Sequence, residues 1–143
     1  MRIRFVAGFG PIVRDLAASR RFYKDGLGLP IKPLGGSDDY LGTDDLAGVK
    51  AFALWRLADA AQSCFATNLW PEHIPAPQAW LEFDVESAEA VGAAATELEV
   101  LGYRLLVRAR EEPWKQTVSR LLSPEGLLVG VTFTPWMHEK PAS

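Results

Sequence analysis

Glu82 sits in the stretch Ala79–Val85, AWLEFDV, where Trp80, Glu82 and Asp84 alternate with the apolar Ala79, Leu81, Phe83 and Val85. Such period-two alternation is the mark of a half-buried strand. A carboxylate on a central strand must be hydrogen-bonded, paired or wet. Glu82 is placed to pair with Arg4 or Arg120, to anchor a ligand's amine, or to serve as a general base with a raised pKa. The second chemically suggestive stretch is REEPWKQTVSR, residues 110–120, in which Glu111 and Glu112 precede Pro113 and Trp114. Two carboxylates beside an indole attract cationic or planar molecules. The two histidines, His73 and His138, fall in a proline-rich connector and a tail and read as solvent-exposed. Cys64, the single cysteine, excludes an intramolecular disulfide and a thiolate zinc cluster, and in its alanine-rich surroundings reads as a small core residue.

The elements that position these groups follow from periodicity and punctuation. RIRFVAGF at residues 2–9 alternates as a strand, and Asp15 caps a helix that Gly26 or Gly28 closes. Three short strands follow within residues 29–57. The segment ADAAQSCFATNLWPEHIPAPQ holds a short helix-like patch and then Pro71, Pro75 and Pro77, and behaves as a connector. A second series then starts with AWLEFDV, continues with a helix capped by Ser87 and stopped by Gly102, and ends with the strands YRLLVRA, QTVSRLL and GLLVGVTFT.

Both halves therefore read strand, helix, strand, strand, strand, and AGVKAFALWRL lines up with EGLLVGVTFTP. A repeat near 70 residues implies two βαβββ modules, each too small to bury its sheet alone. The expected organisation is a single α+β domain over 1–143, with modules at 1–57 and 79–135, a connector at 58–78 and a tail at 136–143. Alternation places Ile3, Phe5, Ala7 and Phe9, with Leu81, Phe83, Val131 and Phe133, on the face helices cover. The opposite face carries Arg4, Val6, Gly8 and Gly10, then Phe52 and Leu54, then Trp80 and Glu82, then Leu128, Gly130 and Thr132.

With 48% hydrophobic and 23% charged residues and a net charge of −3, the 143-residue chain has the make-up of a globular protein. The absence of a basic stripe argues against nucleic acid. No apolar run approaches the roughly 20 residues that span a bilayer, so no membrane partner is expected and the cytoplasm is the expected compartment.

VRDLAASRRFYKDGLGLPI, LEFDVESAEAV and EPWKQTVSRLLSPEGLLVGVTFTPW resemble the vicinal oxygen chelate superfamily, which includes glyoxalases, bleomycin-resistance proteins and dioxygenases. The resemblance implies two modules curled into a sheet around a cavity, with helices outside, and commonly a homodimer. In its enzymes a His or Glu metal ligand stands on each of four strands. Carried over residue by residue, those positions are Gly8, Phe52, Trp80 and Gly130, none of which ligates a metal through its side chain. The resemblance also puts the Glu111–Trp114 loop at the cavity rim.

The expected function is thus uptake of a small aromatic or cationic organic compound, with no metal and no cofactor, antibiotic sequestration being the family precedent. The ligand-binding candidates are Arg4, Gly8, Phe52, Trp80, Glu82, Trp114, Arg120 and Gly130. Two alternatives stand beside it: an enzyme using Glu82 with Arg4 or Arg120, and a module whose vestigial site is filled by Trp80 and Phe52.

Overall fold

The alternating stretches fold as eight strands in a computed structural model that describes residues 1–138. β1 (Phe5–Val13) leads to α1 (Leu16–Arg20), whose start is capped by Asp15 Oδ1 accepting from the Ala18 N–H at 3.0 Å. α1 runs directly into a π-helix, Arg21–Gly26. β2 (Lys32–Leu34), β3 (Ser37–Thr43) and β4 (Phe52–Arg56) complete the first module, and α2 (Leu57–Phe65) follows β4 at once. The second module comprises β5 (Ala79–Asp84), α3 (Ala88–Val100), β6 (Val107–Glu111), β7 (Thr117–Leu122) and β8 (Leu128–Phe133). A 3-10 turn at Pro135–Met137 ends the described chain.

All eight strands join one open sheet in the order β2-β3-β4-β1-β5-β8-β7-β6. Exchanging β1 with β5, β4 with β8, β3 with β7 and β2 with β6 leaves that order intact, so the sequence repeat is a repeat of structure. β1 pairs parallel with β4 and β5 parallel with β8, while β1 and β5 meet antiparallel at the seam. The sheet is strongly curled. β4 and β7 are four strand steps apart, about 19 Å along a flat sheet, yet the Arg120 guanidinium on β7 lies 4.8 Å from the ring centre of Trp55 on β4.

The convex side is served by the helices. α3 packs Val91 and Ala94 on Val85 and Val131, and α1 with the π-helix packs Leu16 and Tyr23 on Val13, Phe52 and Leu54. The concave side carries its own cluster, in which Ala53, Trp55, Trp80, Val107, Val118 and Leu128 enclose Ala60 and Cys64 of α2. The helix-like patch at the start of the connector thus lies inside the curl.

Two face assignments from alternation are corrected. A β-bulge shifts the β1–β5 register between Val6 and Gly8, so Val6 pairs with Phe83 on the convex side and Phe5 with Asp84 on the other. Arg4, expected on the concave face, is exposed, and its backbone N–H donates to the Asp84 carbonyl. Phe5 packs on His138, and the Lys50 ammonium lies 4.7 Å from its ring centre. On β4, Phe52 pairs with Phe9 and stacks edge-on against it on the convex side, so Ala53 and Trp55 face inward instead. The inward residues of β8, Leu128 and Gly130, lie two and four residues after the turn glycine Gly126, whereas those of β4, Ala53 and Trp55, lie five and seven after Gly48. Position counting from the glycine therefore does not transfer between modules, and a one-residue slip turns a whole strand over.

The close approach of β1 to its neighbours rests on glycine. A Cβ at Gly10 would stand 2.0 Å from the Ala53 carbonyl oxygen and 3.0 Å from Trp80 Nε1. Gly10→Ala should therefore lower stability in urea by at least about 3 kcal/mol. Gly92, in α3, has only the Ala109 Cβ within reach, at 3.9 Å. Gly92→Ala should raise stability by roughly 0.5–1 kcal/mol in the same measurement.

Candidate functional site

On the concave floor Glu82 lies between two glycines, paired across β1 with Gly8 and across β8 with Gly130. The room at Gly130 is taken by an ion pair. A Cβ there would stand 3.1 Å from Glu82 Cγ and 3.3 Å from Arg120 Nη1. Arg120 is 1% exposed and donates through Nη1 to Glu82 Oε2 at 2.9 Å. Gln116 Nε2 donates to the other oxygen, Glu82 Oε1, at 2.9 Å. A carboxylate buried beside a guanidinium and an amide has the partners that make such burial tolerable. Of the pairings open to Glu82, the one with Arg120 forms.

Trp80 takes the room at Gly8 and Gly10. A Cβ on Gly8 would meet Trp80 Cη2 at 3.0 Å and the Ala51 carbonyl oxygen at 2.7 Å. The indole is buried and donates through Nε1 to the Ala53 carbonyl at 3.1 Å. Trp55 meets it edge-on, with ring centres 6.3 Å apart.

α2 closes this floor from above. Its inward face is made of small residues, Ala60, Ala61, Ser63 and Cys64, all buried, so the helix can approach the sheet closely. Ser63 forms the polar latch. Its Oγ accepts from Arg120 Nε at 3.0 Å and donates to Glu112 Oε1 at 3.1 Å, and its carbonyl accepts from Arg110 Nη2. Arg110 also pairs with Glu112 at 2.8 Å. Glu112 is therefore a buried partner of α2, where an open acidic rim was expected. Trp114 remains 46% exposed and donates from Nε1 to Gln116 Oε1 at 2.9 Å.

The network continues to the end of the described chain. Gln116 also donates to Thr134 Oγ1, and the fully buried Asp84 accepts from the hydroxyls of Thr132 and Thr134 and from the Thr134 N–H. His138 Nε2 stands 2.9 Å from Asp84 Oδ2, and its ring rests on Phe5 and Phe133. The expectation of a solvent-exposed tail histidine fails here, because a buried carboxylate draws in a polar partner. His73 is exposed.

Of the eight expected site residues, the structure brings together Gly8, Trp80, Glu82, Arg120 and Gly130. Arg4 and Phe52 point elsewhere, and Trp114 lies beside the network at its Gln116 end. Ser63, Glu112, Gln116, Tyr40 and Trp55 complete the site. Of these, Glu112 stands out in sequence within the acidic loop REEPW, and Ser63 as the one hydroxyl on the small-residue face of an otherwise alanine-rich helix.

A family metal centre does not fit these residues. The positions corresponding to ligands hold Gly8, Trp80 and Gly130, Phe52 lies on the other face, and Gly8 has no space for an imidazole. Among the described residues no three His, Cys, Asp or Glu side chains gather as a metal requires.

The chain matches the family model of the Glyoxalase/Bleomycin resistance protein/Dioxygenase superfamily over residues 9–131. The chain belongs to this superfamily. Among solved structures, one similar to this superfamily member is a glyoxalase/bleomycin resistance protein/dioxygenase superfamily protein from Vibrio splendidus 12B01. It is 18% identical, with TM-score 0.57, over 93% of this chain and 100% of that one. A methylmalonyl-CoA epimerase variant from Streptomyces coelicolor, in complex with 2-nitronate-propionyl-CoA, is 16% identical, with TM-score 0.57, over 98% and 100%. A Legionella pneumophila structure described as an NAD-dependent benzaldehyde dehydrogenase is 17% identical, with TM-score 0.57, over 88% and 96%. At these identities the likeness is one of fold, and the superfamily fold carries many chemistries. No curated protein sequence matches the chain. Among the described residues no helix is long and apolar enough to cross a membrane.

Electrostatics inside the curl favour neutral groups. Burial, and then the Glu82 carboxylate, push the Tyr40 phenol up to about 12 against the opposing pull of Arg120. Burial likewise pushes the Cys64 thiol up to about 11, which leaves it protonated and unreactive at neutral pH. Both groups hold their protons more tightly folded than unfolded. Their contribution is thus complete below about pH 9 and is lost as pH rises from there towards about 12. Tyr40→Phe combined with Cys64→Ala should flatten the alkaline fall in urea-unfolding stability. For the ion pair, Glu82→Gln should lower stability by about 3 kcal/mol, because it strands the Arg120 charge. Adding Arg120→Met should cost less than the sum of the single changes, with a coupling above about 1 kcal/mol in a double-mutant cycle.

Proposed function

We propose that this superfamily member is a binding protein whose concave face takes an aromatic organic compound bearing a hydroxyl or amide group, and that α2 occupies that face when no ligand is bound. The observation that carries the reading is the Ser63 latch. One hydroxyl bridges a buried guanidinium and a buried carboxylate, Arg120 and Glu112, directly above the paired indoles of Trp55 and Trp80. A ligand hydroxyl or amide supplies the same donor and acceptor, and its ring replaces the Ala60 and Cys64 contacts on the indoles. The irregular, proline-bearing connector after α2 gives the helix room to leave. Uptake of planar drugs, as in antibiotic sequestration, belongs to this reading as its finer form.

A binding role is favoured over turnover because both oxygens of Glu82, the candidate general base, are engaged by Arg120 and Gln116. A second reading, a module with a permanently filled site, is favoured by the fit of Trp80 against Gly8 and Gly10.

Ser63→Ala separates the two. Loss of the latch should lower stability by about 1–2 kcal/mol. If α2 competes with ligand, the same change raises apparent affinity for substituted phenols and aromatic amides by up to about tenfold, by populating the open state. Tryptophan fluorescence titration reads this out. No saturable response from either protein across the panel would leave the filled-site reading standing.

A further inference from the structure

The outer side of the first module carries a second cavity, separate from the concave face, of about 320 Å³. It opens between the π-helix and the β2–β3 hairpin. Ile31 and Leu41, 3% and 5% exposed, form its apolar floor, and Arg20 of α1, Lys24 of the π-helix and Lys32 of β2 line it, with Asp38 as the one acidic group. The volume falls at the lower end of the range of small-molecule pockets.

The charges are unbalanced. Arg20 and Lys24 stand four residues apart along one helical segment, where like charges repel. Among the described residues neither has a carboxylate within 4.0 Å, and Lys32 reaches only the exposed Asp45, at 3.8 Å. A cation in the last helical turn complements the helix dipole. That accounts for Lys24 but not for Lys32, which approaches from β2 on the other side. The backbone beneath is also unusual. Arg21–Gly26 is a π-helix, a rare form found mostly as single turns within α-helices and frequently at functional sites, and it directly follows Arg20 and includes Lys24.

We infer that this cavity binds a small organic anion, a phosphate or carboxylate ester-sized molecule whose head is shared by Arg20, Lys24 and Lys32 and whose apolar body lies on Ile31 and Leu41. Charge-assisted hydrogen bonds from three cations supply the affinity, and the single Asp38 favours a ligand with a donor beside its anionic group. The inference is independent of ligand uptake on the concave face.

Phenyl phosphate, benzoate and phenol are the probes, titrated into the full chain by calorimetry and by amide chemical shifts. The expected result is saturable one-to-one binding of phenyl phosphate or benzoate, with shifts centred on Arg20, Lys24 and Lys32 and none at Trp55 or Trp80. Which of the two anions binds more tightly identifies the head group. Affinity should fall about tenfold in Arg20→Gln/Lys24→Gln and should also fall as salt is raised on the unaltered protein. Phenol should leave these amides unmoved. No saturation with either anion, equal affinity in the double variant, or binding insensitive to salt would overturn the inference. Both substituted side chains reach the surface, so the variant should keep its melting temperature.

Discussion

The burial of Glu82 against Arg120 is the constraint around which the concave side is built. Two opposite charges taken out of water are tolerable only if they meet in good geometry and every remaining hydrogen-bonding position is filled. Glycine at 130 makes the lateral room for the pair, and glycine at 8 the room for the neighbouring Trp80. Gln116 and Ser63 fill the remaining positions, and Trp55 lays its face against the guanidinium. Each of these partners comes from a different element, so the pair ties β4, β5, β7, β8 and α2 into one arrangement. Among the described residues no buried side-chain nitrogen or oxygen is left without a partner, as a network of this kind requires.

That arrangement changes the use to which the superfamily fold is put. A curled sheet with helices outside leaves a hollow, and here the hollow is occupied by the chain's own α2. The small face of Ala60, Ala61, Ser63 and Cys64 lets the helix sit deep. The two glycines of β1 let Trp80 lie flat against the strand. The buried ion pair and the entry of α2 are thus coupled by packing, since each takes up room the other leaves.

Much of the architecture was legible in the sequence because it depends on local pattern. The alternation of β5 and β8 placed Trp80, Glu82, Leu128 and Gly130 on the inner face, and the caps Asp15 and Ser87 marked two helices at their observed starts. What was not legible depends on single-residue irregularities and on long-range contact. The bulge between Val6 and Gly8 turns Arg4 and Phe5 over, and an odd offset in the spacing from Gly48 to β4 turns Phe52 over. Neither leaves a trace in hydrophobic period. The helix-like patch at the start of ADAAQSCF was visible, but nothing local says whether such a helix covers the outside of a sheet or enters its hollow. The partners of Ser63, Glu112 and Arg120, lie 49 and 57 residues away along the chain.

The central claim, that α2 resides in the hollow, is tested most directly by the reactivity of Cys64, the only thiol, which sits on the inward face of α2 and is 6% exposed. Its rate of modification by a thiol-specific reagent at neutral pH can be compared between native and urea-unfolded protein. With α2 seated as described, native Cys64 should react at least about a hundredfold more slowly than in the unfolded chain, because reaction must await local opening. A native rate equal to the unfolded one would place α2 outside the hollow and contradict the account.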